Sequence, residues 1–249
     1  MKRLRSCTLV VALGACALLV PGCIEASQEP VAYDAVAVTR GNGTLAIDGW
    51  TVTLSRADVA LGPFYFCAAS SGSSTLCASS ISELTTVSMV SALGPAPSKL
   101  GTVHGFTGAI HSASFDFGIS WFDTQTEATP APVLPGGHSI HLEGLAQKGT
   151  TRIPFVADVD VVPQYQGQNA LSTAPAAADV SSKATRLEVV LEPAGWLKQL
   201  HFDDIAAEVA RTGQTPFVIA PGTTEHGAIL VGLKNLAPIE LRWVPAAGP

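Results

Sequence analysis

The densest cluster of potential metal ligands in this sequence is the segment GGHSIHLEG, which contains His138, His141 and Glu143. Imidazole and carboxylate groups are good ligands for copper and zinc. Residues two apart in an extended strand share a face, so His141 and Glu143 are expected to point the same way. His138 is expected on the opposite face, unless it belongs to the Gly-Gly turn. One strand therefore supplies two ligands at most.

A complete copper or zinc site needs donors from elsewhere in the chain. His104 and His111 precede the cluster and are the predicted additional ligands. The favoured alternative is that each histidine lies at the surface or is hydrogen-bonded in the core. Asp158 and Asp160 share a face of a predicted strand, a pattern more typical of a solvent-facing strand than of a calcium site.

These residues must be positioned by strands, because apolar and polar side chains alternate in several short segments. The segments are GWTVTLS, GPFYFC, ASFDFGISWF, HSIHLEG, RIPFVADVDVV, TRLEVVLEP and PIELRWV. No long helix is predicted between them, which favours antiparallel pairing. The predicted fold is mainly β, an antiparallel β-sandwich or open barrel.

One or two short helices are predicted in the C-terminal third. FDDIAAEVARTG begins with an Asp that can cap a helix and ends at a Gly, and TTEHGAILVGLKN carries apolar residues at helical spacing. Residues 123–137 and 167–183 are rich in Pro, Ala, Ser and Gly and are predicted to be long loops.

The signature motifs of common enzymes are absent from the sequence. It contains no nucleophile elbow, P-loop, nucleotide-binding glycine fingerprint or HExxH. We therefore predict that the protein is not an enzyme and needs no cofactor, with bound copper or zinc as the alternative.

The N-terminal segment has the pattern of a secretory leader. Three basic residues in MKRLR precede an apolar run from Thr8 to Val20, which is shorter than the roughly 20 residues that cross a bilayer. The run ends in VPGC, which resembles a bacterial lipobox, although Pro21 departs from its commonest form. The resemblance implies a signal peptide over residues 1–22 and acylation of Cys23, palmitate included; an ordinary cleaved leader is the alternative.

A lipoprotein of this kind is anchored by several acyl chains at the cell envelope. Ile24 after the acylated cysteine is similar to the outer-membrane pattern of enteric bacteria, so we expect the outer membrane, facing the periplasm or the cell surface. Residues 23–36 have mixed polarity and are predicted to be a lipidated tether. Residues 37–249 are predicted to be a single sandwich-like domain.

Cysteine usage is consistent with an oxidising compartment. Of five cysteines, Cys7 and Cys16 lie in the leader and Cys23 is the acylation site, which leaves Cys67 and Cys77. A disulfide between these two is predicted. Two buried free thiols or a metal pair are the alternatives, and the nine intervening residues exceed the usual spacing in structural zinc sites.

Composition limits the classes of partner. The chain is 47% hydrophobic and only 14% charged, against roughly 25% charged residues in an average globular protein, which excludes a disordered protein. Its formal net charge is −6, and loss of the basic leader makes it more acidic. Nucleic acid is therefore excluded as a partner, and membrane attachment must come from acyl chains.

Longer stretches of the sequence resemble known groups. The lipobox, DGWTVTLSRADVALGPFYFC, GGHSIHLEG and FVADVDVVPQYQG are similar to a group of uncharacterised lipoproteins of predatory, high-GC soil bacteria, which implies no particular activity. More loosely, GAIHSASFDFGIS followed by the HLEG strand resembles periplasmic copper-binding β-proteins associated with methanobactin operons. The sequence therefore predicts a non-catalytic envelope lipoprotein with a binding or structural role, and periplasmic copper or zinc binding is the alternative.

Overall fold

The computed structural model describes residues 28–69, 80–181, 185–236 and 239–245. The strands are β1 (Pro30–Thr39), β2 (Thr44–Ile47), β3 (Trp50–Leu61), β4 (Phe64–Cys67), β5 (Ser80–Leu84), β6 (Ser88–Ser91), β7 (Ser98–Phe106), β8 (Gly108–Phe115), β9 (Ile119–Ser120), β10 (Thr129–Pro130), β11 (Ile140–Lys148), β12 (Thr151–Val159), β13 (Leu171–Val180), β14 (Thr185–Leu191), β15 (Phe217–Ile219) and β16 (Glu240–Pro245). The helices are α1 (Phe202–Thr212) and α2 (Thr224–Val231). Short 3-10 turns occupy Pro135–Gly137 and Pro193–Leu197, and a π-helical turn occupies Gly232–Leu236.

Two main sheets build the molecule. The larger sheet has eight strands in the order β13-β8-β4-β5-β7-β1-β14-β16. The second has six, in the order β15-β12-β11-β3-β2 with β6 also paired to β3, and β9 and β10 form a small separate hairpin sheet. Pairing is antiparallel except for β1 with β14 and β12 with β15, which are parallel. The mainly β fold is confirmed, with mixed rather than purely antiparallel sheets that form a curled half-barrel.

The hydrophobic core lies on the inner faces of both sheets. One continuous cluster includes Val52 and Leu142 from the six-stranded sheet and Phe66, Phe115 and Val103 from the eight-stranded sheet. The alternation that predicted the strands matches this burial: in β11, Ile140 and Leu142 are buried whereas His141 and Glu143 are only partly covered. The predicted strands over β3, β4, β11, β12, β14 and β16 are present, whereas ASFDFGISWF is not one strand: it holds the end of β8 at Phe115 and the two-residue β9.

Two predicted irregular segments are strands instead. β1 begins at Pro30 inside the predicted tether 23–36, so the domain starts earlier than residue 37. The inward-facing residues Tyr33, Ala35 and Ala37 of β1 are buried. Because alanine is small and only weakly hydrophobic, the alternation of apolar and polar residues was too weak here to predict a strand. β13 likewise occupies most of the predicted loop 167–183 and is also rich in alanine. Residues 1–22, with the predicted signal peptide, lie outside the described residues.

The two predicted C-terminal helices are present. α1 ends at Gly213, whose φ of 71° is the left-handed conformation expected of a C-terminal glycine. Its first residue is Phe202 rather than a capping Asp, and Asp203 in the first turn accepts hydrogen bonds from Trp50 Nε1 at 2.9 Å and Lys148 Nζ at 2.8 Å. α1 is thereby fastened to the six-stranded sheet.

Candidate functional site

His141 lies in a polar row across three neighbouring strands of the six-stranded sheet. The pairing register places it opposite Asp58 of β3 on one side and Asp158 of β12 on the other. Its Nδ1 is 2.7 Å from Asp158 Oδ1, and its Nε2 is 2.9 Å from Glu143 Oε1. Both ring nitrogens are therefore occupied by carboxylates.

Arg56 completes this row. Its guanidinium donates to Asp58 Oδ2 at 2.7 Å and to Glu143 Oε1 at 3.2 Å. Burial lowers the pKa of His141, but the hydrogen bonds to Asp158 and Glu143 outweigh it and the net shift is upward. Hydrogen bonds from His141 and Arg56 lower the pKa of Glu143. The group is an ion-pair network that is fully satisfied when the imidazole is protonated, because it can then donate to Asp158 and Glu143 from both nitrogens.

His138 forms a second histidine–aspartate pair beside this row. It directly follows the turn Pro135–Gly137, and its Nδ1 is 3.1 Å from Asp160 Oδ1. Because His138 follows the Gly-Gly turn, it lies on the same side as His141. The sequence predicted opposite faces for the two histidines unless His138 belonged to that turn. Asp158 and Asp160, predicted to share a face, each contact one histidine.

The other two predicted metal ligands are not brought to this cluster. His104 lies on β7 and His111 on β8, and both strands belong to the eight-stranded sheet. Across the residues that the structure describes, no group of three or more His, Cys, Asp or Glu side chains is arranged to hold a metal ion. The predicted five-residue copper or zinc set therefore does not assemble, because its members are divided between two sheets.

The predicted cysteine sites are not tested by the structure. Cys23 and Cys77 lie outside the described residues, while Cys67 is buried at the end of β4. Acylation of Cys23 and the bridge from Cys67 to Cys77 stay predictions.

An open cleft lies at the β9–β10 hairpin, away from the histidines. It has a volume of about 430 Å³. The residues that line it are Pro63, Tyr65, Thr85, Val87, Gly118, Ser120, Phe122, Gln125, Thr129, Pro130, Ala131 and Pro132. None of these carries an ionised side chain at neutral pH. The cleft therefore offers two aromatic rings beside hydroxyl and amide groups, with apolar surface between them.

A buried carboxylate behind the cleft holds one of its lining residues, Ser120. Asp116 is completely buried and accepts three hydrogen bonds: from Ser120 Oγ at 2.9 Å, Asn169 Nδ2 at 3.0 Å and Ala170 N at 2.7 Å. Ser114 Oγ donates in turn to Asn169 Oδ1 at 2.9 Å. Burial raises the pKa of Asp116, against the opposing effect of its three donors. Asp116 thus links the cleft residue Ser120 to the segment that leads into β13.

Two backbone features hold the cleft walls in place. Gly118 has a φ of 77°, and a Cβ there would lie 2.6 Å from Leu134 Cδ1, so only glycine fits this close approach. On the outer wall, the backbone N–H of Phe122 donates to Gln125 Oε1 at 2.7 Å, which folds the loop back towards the hairpin. Phe122 remains 44% exposed, a large apolar side chain left at the mouth of the cleft.

The sequence did not indicate this cleft. Its walls come from segments that are far apart in the chain, around residues 63–65, 85–87 and 118–132. The only signal was the length and proline content of the loop 123–137, which long functional loops share with merely mobile ones.

Comparisons with known proteins give little further information. No protein-family model matches the sequence, and no curated protein matches it either. Among solved structures, MbnP from Methylosinus trichosporium is similar at 15% sequence identity, with 88% of this chain and 99% of that chain covered. The TM-score is 0.35, which is too low to carry an argument about fold or function.

No helix among the described residues is both long and apolar enough to cross a membrane.

Proposed function

We propose that this protein is a lipid-anchored protein of the cell envelope that binds an uncharged ligand in the cleft at the β9–β10 hairpin and performs no catalysis. The observation that carries the proposal is the cleft itself: an open, largely apolar hollow whose lining residue Ser120 is hydrogen-bonded to the buried Asp116 and whose lining residue Phe122 is 44% exposed. Ligand sites are typically concave, mostly apolar and fitted with a few fixed polar groups.

The lining defines the chemistry of the ligand. Tyr65 and Phe122 supply flat apolar surfaces, while Ser120, Gln125 and Thr129 supply hydroxyl and amide groups. Without a charged group in the lining, an ionised ligand would lose its hydration and gain no ion pair. The cleft therefore favours a neutral ligand that has an apolar face beside hydroxyl or amide groups, as a sugar ring or a neutral peptide has.

The anchoring part of the proposal rests on the leader and on Cys23. Acyl chains hold the binding domain of an envelope protein at the membrane surface, and the surface of the domain itself stays polar. The acidic net charge of −6 is consistent with attachment through acyl chains rather than through contacts with anionic headgroups.

Copper or zinc binding is the second candidate. In its favour, the imidazole of His141 lies beside the carboxylates of both Glu143 and Asp158, which are ligand types that copper and zinc accept. Against it, a metal would have to take the place of a proton or a carboxylate contact at one nitrogen of His141 and compete with the Arg56 guanidinium for Glu143. Elemental analysis of the purified full chain, with and without added copper or zinc, separates this candidate from the first.

The proposed binding is tested with a ligand screen of the full chain in detergent. Neutral disaccharides and neutral tripeptides are added at millimolar concentration, and the melting temperature is recorded for each. A rise with one neutral class, and none with its charged analogues, is expected. If only charged compounds raise the melting temperature, the assignment of the cleft to an uncharged ligand is wrong.

A further inference from the structure

The hydrogen bond from Ser120 to Asp116 decides what Ser120 can offer a ligand. A serine hydroxyl has one proton to donate and two lone pairs that accept, whereas an ionised carboxylate only accepts. Ser120 Oγ donates to Asp116 Oδ2 at 2.9 Å, so its one proton is committed to Asp116. Ser120 is 8% exposed and lines the cleft. Towards a ligand in the cleft, Ser120 is therefore an acceptor only.

The other two contacts of Asp116 hold this direction. Asn169 Nδ2 donates to the same oxygen, Oδ2, at 3.0 Å, and the backbone N–H of Ala170 donates to Oδ1 at 2.7 Å. Donors thus surround both oxygens of the carboxylate, an arrangement that favours its ionised form. An ionised Asp116 has no proton to give, so Ser120 is held as the donor in their hydrogen bond.

Thr129 adds a second acceptor beside Ser120. The two residues lie directly opposite each other on β9 and β10, which places their Cβ atoms roughly 4.5 to 5.5 Å apart. Thr129 also lines the cleft, and its Oγ1 donates to the backbone oxygen of Glu127 at 3.3 Å. Because both protons are engaged within the protein, the two hydroxyls together offer a ligand a pair of acceptors.

The backbone beside this pair adds few donors. Pro130 and Pro132 line the cleft and have no N–H. The N–H of Ala131 donates to the oxygen of Gly118 at 2.8 Å, and the N–H of Gly118 donates to the oxygen of Gly62 at 3.1 Å. At this wall, a ligand therefore meets hydroxyl oxygens and carbon surface rather than backbone N–H groups of these residues.

Gln125 supplies a donor in the same cleft. Its Oε1 accepts from the backbone N–H of Phe122 at 2.7 Å, which leaves the amide N–H groups as the part of the side chain that can donate to a ligand. The lining therefore combines an acceptor pair, an amide donor and the aromatic rings of Tyr65 and Phe122.

We propose that the cleft selects neutral ligands with two adjacent hydrogen-bond donors, either a primary amide or two neighbouring hydroxyls, and that Ser120 and Thr129 accept from them. This inference rests on the proposed function and specifies its ligand. Asp116 is a positioning residue: it lies outside the lining and acts by taking the proton of Ser120. A site built to accept from O–H or N–H groups discriminates against an analogue that lacks them, because its own polar atoms are then left unpaired.

Two pairs of small neutral probes test the selection, titrated into the full chain in detergent at about pH 8 and followed by ligand-observed NMR. Benzamide is compared with methyl benzoate, which keeps the ring and the carbonyl but has no N–H. Styrene glycol is compared with its dimethyl ether. In at least one pair, the donor-bearing probe should bind about tenfold more tightly, since a hydrogen bond is worth roughly a factor of five to ten. The pair that shows the preference distinguishes an amide ligand from a diol.

Variants decide whether this preference comes from Ser120, because the two members of a pair also differ in size. Ser120→Ala should reduce the preference by about fivefold or more. Asp116→Asn puts an amide N–H where Oδ2 accepts, so the Ser120 proton can turn to the ligand and the preference should fall in the same way. A purely structural role would weaken both members of a pair equally and leave their ratio unchanged. If Asp116→Asn does not fold, Ser120→Ala carries the test.

Ser112→Ala is the matched control, because it removes a buried serine that lies outside the lining. It should leave all affinities unchanged. Equal affinities within both pairs, tighter binding of the donor-free probes, or a preference that survives in Ser120→Ala would overturn the inference and leave the neutral-ligand cleft in place. Failure of all four probes, while a neutral compound of the screen binds, would also overturn it alone. Failure of the probes and of every neutral compound would overturn the proposed function as well.

Discussion

The imidazole of His141 and the carboxylate of Asp158 lie directly opposite each other on adjacent strands, with 2.7 Å between Nδ1 and Oδ1. Glu143 occupies the other ring nitrogen at 2.9 Å. The pair explains why a segment that looks like a metal ligand set can instead be a stabilising ion-pair network: either ring nitrogen could bind a metal, but each is already in contact with a carboxylate oxygen.

The His141 network predicts a stability that depends on pH. Burial lowers the pKa of His141, and its two carboxylate partners raise it by more, so the folded protein holds the proton more tightly than the unfolded chain. The stabilisation is fully present below the ordinary histidine pKa of about 6.5 and is lost as the pH rises through the raised pKa. His141→Gln should therefore cost about 1 to 2 kcal/mol at pH 6 and less at pH 9.

Urea denaturation at both pH values measures this difference. His201→Gln is the control, because His201 is exposed and its side chain makes no capping bond to α1. An equal loss of stability at both pH values in His141→Gln would contradict the charged-imidazole account.

We predict a large loss of stability when the side chain of Asp116 is removed. Asp116→Ala leaves the Ser120 hydroxyl, the Asn169 amide and the Ala170 N–H without an acceptor in a fully buried site. A loss of about 3 kcal/mol or more is expected in urea unfolding. Asp34→Ala, which removes an exposed carboxylate with a distant lysine partner, should change stability by less than about 0.5 kcal/mol. A similar small effect at both positions would show that the three hydrogen bonds to Asp116 do not stabilise the fold.

The raised pKa of Asp116 also predicts the direction in which stability changes with pH. Burial raises its pKa in the folded state, so folding takes up a proton between the ordinary and the raised value. Its contribution to stability is greatest below the ordinary aspartate pKa and falls as the pH rises through the raised pKa. Asp116→Asn should remove this fall; an unchanged dependence of stability on pH would assign it to other groups.

The strands that the sequence predicted are those with strong contrast between large apolar and polar residues. Trp50, Val52 and Leu54 in β3 are an example, and all three are buried. β1 and β13 were missed because Ala35, Ala37, Ala174 and Ala176 fill their inner positions, and alanine contrasts weakly with polar neighbours. These alanines are buried because of contacts between distant segments: they pack in the same core as the large aromatic rings.

The site was harder to predict than the strands. Asp116 alternates with Phe115 and Phe117, an arrangement typical of a solvent-facing residue, yet it is completely buried and hydrogen-bonded to Asn169 and Ala170. Likewise, His104 and His111 were predicted to join the cluster of His138 and His141, but they lie on the other sheet. Contacts between distant segments decide both cases, and spacing along the chain carries no information about them.

A disulfide between Cys67 and Cys77 stays a prediction with a direct test. Mass spectrometry of the non-reduced mature protein should show the loss of two protons relative to the dithiol form. The chain-entropy model predicts that reduction costs roughly 2.5 to 3 kcal/mol of stability for so short a loop. Two thiols that react with an alkylating agent in the native protein would contradict the bridge.

The acylation of Cys23 predicts the behaviour of a single variant. Cys23→Ser should lose the acyl chains, and the protein should be released from membranes or remain unprocessed. Fractionation followed by carbonate extraction measures this, with Cys16→Ser in the leader as the control. A Cys23→Ser protein that stays in the carbonate-resistant membrane fraction would show that another element anchors it.

The most direct measurement of the central claim is the affinity of the best neutral compound from the screen for Phe122→Ala and for Tyr165→Ala. Phe122 lines the cleft and is 44% exposed, whereas Tyr165 is an aromatic residue outside the lining that is 57% exposed. Loss of an aromatic contact should weaken binding by roughly tenfold or more in Phe122→Ala, with no change in Tyr165→Ala. Equal affinities of the two variants and the unchanged protein would contradict binding at the cleft.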